Sequence, residues 1–203
     1  MAASPKLCRY LHVPLQSGDD RILEAMNRRY TAREYEALMD RAFSLMPDLG
    51  FGTDLMVGFP GEDERAFEHT TEFASRLPFS YFHVFTYSPR PGTPAARLEQ
   101  SLGPATIQAR RRLLTELSHT KTMAFYEQHI GRTLSVLFER GARDGFRTGT
   151  AGNFLRVAVA AEQEMAGIVR DVTVAGIMDG LAYGIFPEAA RSSPRTDLLV
   201  TTS

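Results

Sequence analysis

The chain has 203 residues, 43% hydrophobic and 23% charged, which fits one or two soluble globular domains and excludes disordered and collagen-like classes. With 23 Lys and Arg against 24 Asp and Glu, it lacks the basic excess that would by itself announce a nucleic-acid binder, so any such site is local. The single cysteine, Cys8, forms no internal disulfide and cannot alone hold zinc or an iron–sulfur cluster; there is no long apolar run, and Pro5, Lys6 and Arg9 stand where a signal peptide would be apolar, so the expectation is a cytoplasmic protein with no membrane partner.

Residues 7–15 (LCRYLHVPL) read as a strand ending in a Gln-Ser-Gly-Asp-Asp turn, after which Asp19 or Asp20 caps a helix over 21–27. Thr31 and Glu34 have the spacing of a capping box; Tyr35, Leu38, Met39, Ala42, Phe43 and Met46 then repeat at helical spacing until Pro47. Residues 52–58 (GTDLMVG) read as a buried strand running into the Gly58-Phe59-Pro60-Gly61 turn, and Glu62, Asp63 and Glu64 open a helix reaching about Leu77. The aromatic run 80–87 (SYFHVFTY) is the third strand. A long helix over 104–129 is expected to link two halves, followed by five β-prone runs (133–139, 147–150, 154–160, 168–175, 181–186) between Gly or Asp-Gly turns.

Strand–helix–strand alternation predicts a parallel sheet covered by helices, and the five short runs predict a small antiparallel barrel of the oligonucleotide-binding type. The expected division is a partial barrel over 1–103, a linking helix over 104–130, a β-barrel over 131–186 and a loosely ordered tail over 187–203. Parallel strands normally have neighbours and cover, so a sheet beginning this abruptly is expected to have lost N-terminal strands.

Three loops, 16–18, 58–62 and 88–93, follow the carboxyl ends of the three strands, where ligands collect in α/β sheets. Gln16 and Ser17 either bind a ribose or amino-acid group or cap the following helix. Asp54, inside an apolar strand, needs a partner, either a buried arginine or a ligand. Arg90, between two prolines, clamps an anion or is solvated. His12 and His83 are expected as satisfied core histidines, Cys8 as a buried or half-buried thiol, and Arg110, Arg111 and Arg112 as a solvated helix face in preference to an RNA contact. His69, His119 and His129 lack metal-ligand companions at useful spacing.

The motifs His12-Val13-Pro14-Leu15-Gln16-Ser17-Gly18, Asp54-Leu55-Met56-Val57-Gly58-Phe59-Pro60-Gly61-Glu62 and Tyr87-Ser88-Pro89-Arg90-Pro91-Gly92-Thr93-Pro94-Ala95 together resemble the C-terminal part of the radical S-adenosylmethionine (AdoMet) tRNA methylthiotransferases, over about residues 7–186. Met26 to Thr31 and His83-Val84-Phe85 lean toward the branch acting on N6-threonylcarbamoyladenosine; sister branches act on isopentenyladenosine in tRNA or on a ribosomal protein. The resemblance implies an α/β fold: half of a TIM-like radical-AdoMet barrel, then a small all-β TRAM domain. It implies AdoMet and 4Fe-4S clusters as cofactors, and a methylthio group placed on carbon 2 of a hypermodified adenosine beside the anticodon. Gln16, Ser17, Asp54, Val57 and Gly58 match positions near AdoMet. Arg90, Arg147, Asn153, Phe154 and Arg156 are the candidates for contact with the tRNA anticodon stem-loop.

Both cysteine sets of that family are absent, so the chain alone is expected to be inactive and to need the missing N-terminal half of the enzyme as its partner. The alternative is a non-catalytic RNA-binding remnant. Residues 131–186 hold six arginines and six carboxylates, so RNA binding there rests on the resemblance and not on charge.

Overall fold

The computed structural model describes residue 4 and residues 6–99, 102–140 and 145–187. The expected tail falls outside them except for its first residue. The chain divides into two compact units, Met1–Gln128 and His129–Ser203. Among the described residues, no helix is long and apolar enough to cross a membrane.

In the first unit, short polar side chains start each early helix by accepting the orphan amides of its first turn. Asp19 Oδ1 accepts from the Arg21 and Ile22 amides at 3.1 and 3.2 Å, starting α1 (Asp20–Ala25). Thr31 and Glu34 close the reciprocal capping box of α2 (Ala32–Leu45), which stops short of Pro47. Asp63 accepts from the Ala66 amide at 2.8 Å and starts α3 (Glu64–Arg76).

Three parallel strands, β1 (Tyr10–His12), β2 (Gly50–Val57) and β3 (Tyr81–Thr86), form a sheet in the order β1-β2-β3. The first is much shorter than the nine residues 7–15 read from sequence: its backbone ladder to β2 runs from the Arg9 carbonyl to the Val13 amide and stops there. The Thr53 side chain replaces the missing bonds: its Oγ1 donates to the Val13 carbonyl at 2.7 Å and accepts from the Leu15 amide at 2.9 Å. Gln16, at φ 73°, then rejoins β2, its amide donating to the Asp54 carbonyl and its carbonyl accepting from the Met56 amide, each at 2.8 Å.

The helix expected as a linker, α4 (Pro104–Glu127), instead packs within the first unit. The Ser118 hydroxyl donates to the carbonyl of Phe82 and accepts from its amide, at 2.7 and 2.8 Å, clamping the backbone of β3. Arg110, Leu114 and Ser118 are buried at i, i+4, i+8 spacing while Leu113 is exposed.

The second unit is a closed barrel of β4 (Thr133–Phe138), β5 (Phe146–Ala151), β6 (Arg156–Ala160), β7 (Val169–Met178) and β8 (Leu181–Ile185), in the order β4-β5-β6-β8-β7. Val136, Phe138, Val157, Val159, Val172, Val174 and Ala182 fill it. The expected small antiparallel barrel closes with four antiparallel pairs and one parallel pair, β6 with β8. Strand directions cannot alternate all the way around a ring of odd number, so five strands force one parallel pair. Asp179 and Gly180, both at positive φ, make the tight β7–β8 turn.

At Gly149 a Cβ would lie 2.6 Å from the Leu137 carbonyl oxygen on the neighbouring strand, a backbone atom that cannot step aside. Gly149→Ala is expected to destabilise the chain by about 1–3 kcal/mol in denaturant unfolding, whereas alanine at exposed Gly152, which has open space at its Cβ, serves as the neutral comparison.

Candidate functional site

A pleated strand sends alternate side chains to opposite faces. On one face of the sheet, Phe51, Thr53, Leu55, Val57 and Phe82 are fully or almost fully buried in the helix-packed core. On the other stand Tyr10 and His12 from β1, Gly52, Asp54 and Met56 from β2, and Tyr81, His83 and Phe85 from β3. His12, His83 and Phe85 are exposed there. The two histidines are therefore not core residues, and the expectation that they are is overturned by the strand parity that faces them away from the helices.

These side chains form one connected group. His12 Nε2 lies 3.1 Å from the Asp54 carboxylate, which answers the question of that carboxylate's partner: a histidine, not an arginine. His12 Nδ1 lies 3.3 Å from the Tyr10 hydroxyl and 3.4 Å from the Tyr81 hydroxyl, and the two phenols are hydrogen-bonded to each other. Burial, then the bond to Tyr81, pushes the Tyr10 pKa above its ordinary value. Tyr81 reaches across β2 only because position 52 has no side chain; a Cβ on Gly52 would sit 2.8 Å from the Tyr81 ring. The ring of His83 meets Tyr81 edge-on at 5.1 Å, and Phe85 continues the row at 6.2 Å from His83. Sequence reading missed Tyr10, Tyr81 and Phe85; the signal was the period-two alternation within YLH and YFHVFT.

The three strand-end loops lie at one edge, as parallel strands require, and Phe59 packs edge-on against Tyr87 at 5.1 Å. Most of the residues expected to face AdoMet are occupied structurally. Ser17 is buried, its hydroxyl accepting from the Asp19 amide and hydrogen-bonding Thr70. The Val57 side chain is in the core. Gly58 stands at φ 74° against Ile107, and its amide donates to the Glu62 carboxylate at 3.1 Å. Gln16 is buried at the strand edge, its backbone paired with β2, and Asp54 remains on the open face. Arg90 is exposed in a turn closed by Thr93, whose amide and hydroxyl donate to the Arg90 carbonyl.

Behind that edge, Glu62 and Arg110 form a buried ion pair, 5% and 4% exposed. Arg110 Nη1 donates to Glu62 Oε1 at 2.6 Å and Nη2 to Glu64 at 2.7 Å, while the guanidinium lies 4.7 Å over the Phe67 ring. Arg110 is thus neither solvated nor available to RNA, and Arg112 pairs with Glu116 along the helix. Burial raises the Glu62 pKa, with Arg110 and the Gly58 amide opposing.

Cys8 is exposed, correcting the expected buried or half-buried thiol. Among the described residues, no three His, Cys, Asp or Glu side chains stand together to hold a metal, so this residue set does not fit a 4Fe-4S cluster.

In the barrel, Asn153 is buried and holds His129 Nε2 at 2.9 Å, so it is structural. Arg147 is largely covered and pairs with Glu164 at 3.1 Å; Arg156 is half-exposed and pairs with Glu139 at 3.1 Å. The register sets Arg147 opposite Val159 and Arg156 opposite Thr150, so the two arginines lie toward opposite ends of the β5–β6 ladder and not beside one turn. Phe154 is exposed at φ 69° and is not core.

A family model described as the radical SAM superfamily matches residues 1–74. A protein of Maricaulis maris (strain MCS10) named tRNA-2-methylthio-N(6)-dimethylallyladenosine synthase is 38% identical over 193 residues, 95% of this chain and 42% of that protein. Proteins of the same name from Mycobacteroides abscessus and Mycobacterium sp. (strain MCS) are 44% and 39% identical, over 71% and 87% of this chain and 29% and 37% of theirs. The chain thus spans less than half the length of these curated relatives. Their names do not support the lean toward the threonylcarbamoyladenosine branch and in part contradict it.

Replacing Arg110 by Met leaves a buried carboxylate without its counter-charge, and a loss of about 3–5 kcal/mol is expected at pH 7. Because the folded pKa of Glu62 lies above its unfolded value, the cost is absent below the unfolded value and grows as pH rises through the folded one. Denaturant unfolding of Arg110→Met at several pH values is therefore expected to show a deficit that shrinks on acidification, and Glu62→Gln in the same chain to recover much of it at pH 7.

Proposed function

We propose that the chain is part of a radical SAM tRNA methylthiotransferase, an enzyme placing a methylthio group on carbon 2 of a dimethylallyladenosine in tRNA. The observation that carries this reading is similarity to one named tRNA-modifying enzyme across 95% of the chain, through both units. AdoMet, once bound, supplies the radical chemistry. Gln16 at the strand edge and the open oxygen of Asp54 would hold its polar groups, with Met56 and Phe85 alongside. The 4Fe-4S ligands come from polypeptide outside these 203 residues, which is the partner this reading requires. The barrel acts as a TRAM-like module docking the anticodon stem-loop, with Phe154 offering a stackable ring and Arg156 a charge. A tRNA substrate supports a cytoplasmic location.

The test is made in the source cell. Deleting the coding region for these 203 residues and analysing bulk tRNA nucleosides by mass spectrometry is expected to abolish the methylthio derivative while dimethylallyladenosine accumulates. An unchanged methylthio level contradicts the reading.

A further inference from the structure

The chain holds 7 tyrosines and no tryptophan, so tyrosine is its most readily oxidised aromatic side chain. A phenol loses an electron far more easily when its proton leaves at the same moment, because the phenol radical cation is a very strong acid. That requires a base within hydrogen-bond reach whose own charged form is stabilised. The open face of the sheet supplies each part. The Tyr10 and Tyr81 hydroxyls are hydrogen-bonded and their rings stack at 6.3 Å with 7° between planes. His12 Nδ1 lies 3.3 and 3.4 Å from the two hydroxyls. Asp54, 3.1 Å from Nε2, favours the tautomer with the proton on Nε2, leaves the Nδ1 lone pair toward the phenols and stabilises an imidazolium. The other titratable ring facing the group is His83, edge-on to Tyr81.

We propose that Tyr10 and Tyr81 are a redox-active tyrosine pair that takes up one-electron oxidising equivalents reaching this face, with His12 as proton acceptor and Asp54 as its counter-charge. In the step, the phenol bonded to His12 gives one electron to the oxidant and its proton to Nδ1. The O–H bond breaks and an N–H bond forms. The products are a neutral tyrosyl radical whose oxygen accepts a hydrogen bond from the second phenol, a His12 imidazolium paired with Asp54, and the reduced oxidant. The oxidant is an outer-sphere one-electron acceptor of sufficient potential, an oxidised metal complex, so the proposal stands apart from the methylthiotransferase reading.

Photogenerated ruthenium(III) tris-bipyridine serves as the oxidant, with the full chain carrying Cys8→Ser to remove the competing exposed thiol. The readouts are the rate of ruthenium(III) loss and the tyrosyl signal in electron paramagnetic resonance. At pH 7 the parent is expected to react about a hundredfold faster than Tyr10→Phe/Tyr81→Phe, the low end for a positioned base, and to slow in deuterium oxide. His12→Gln is expected to fall to the double variant's rate with its circular dichroism unchanged. Equal rates for parent and double variant, or a parental rate in folded His12→Gln, overturn the proposal. Should His12→Gln fail to fold, a parent rate unaffected by deuterium oxide overturns it.

Discussion

The pleat of a parallel sheet fixes what this molecule can offer a ligand. Phe51, Thr53, Leu55 and Val57 of β2 and Phe82 of β3 are committed to the core side packed by α2, α3 and α4, so the residues between are the ones left for chemistry. Thr53 and Asp54 illustrate the division. The first is fully buried and repairs the backbone around Pro14, while the second turns to the other face and meets His12. Neighbouring positions in sequence thus serve fold and site separately, and a slip of one residue in register would exchange them.

The edge where the strands end is held by charge. Glu62 accepts from the Gly58 amide through one oxygen and from Arg110 through the other, so a single carboxylate ties the turn after β2 to α4. This arrangement explains why a glycine-rich loop that reads as a ligand cradle is instead closed from behind by Ile107 and Arg110. Ligand contact at this edge is left to the side facing Gln16 and Asp54.

Local signals were legible in the sequence wherever short-range chemistry decides the outcome. The Thr31–Glu34 capping box, the cap from Asp19 of the two candidates, the acidic start of α3 and the Asp179-Gly180 turn all form as their residue types dictate. What stayed illegible depends on tertiary parity and partners. Nothing local distinguishes Arg110 from Arg111 and Arg112; only Glu62, 48 positions away, makes the first a buried ion. His12 and His83 sit in apolar runs, yet strand phase turns them outward. Asn153 looked available for RNA because its acceptor, His129, is 24 residues distant. The parallel β6–β8 pair follows from closing five strands, a property of the ring and of no single segment.

The central claim is that one face of the parallel sheet is open and carries its histidines outward. Carbethoxylation by diethyl pyrocarbonate, followed residue by residue with mass spectrometry, reads this directly. His83 on the open face is expected to react at a rate comparable to exposed His119 on α4, while buried His129 lags far behind. If His83 is instead protected to the extent of His129, the face is covered and the account of the site is wrong.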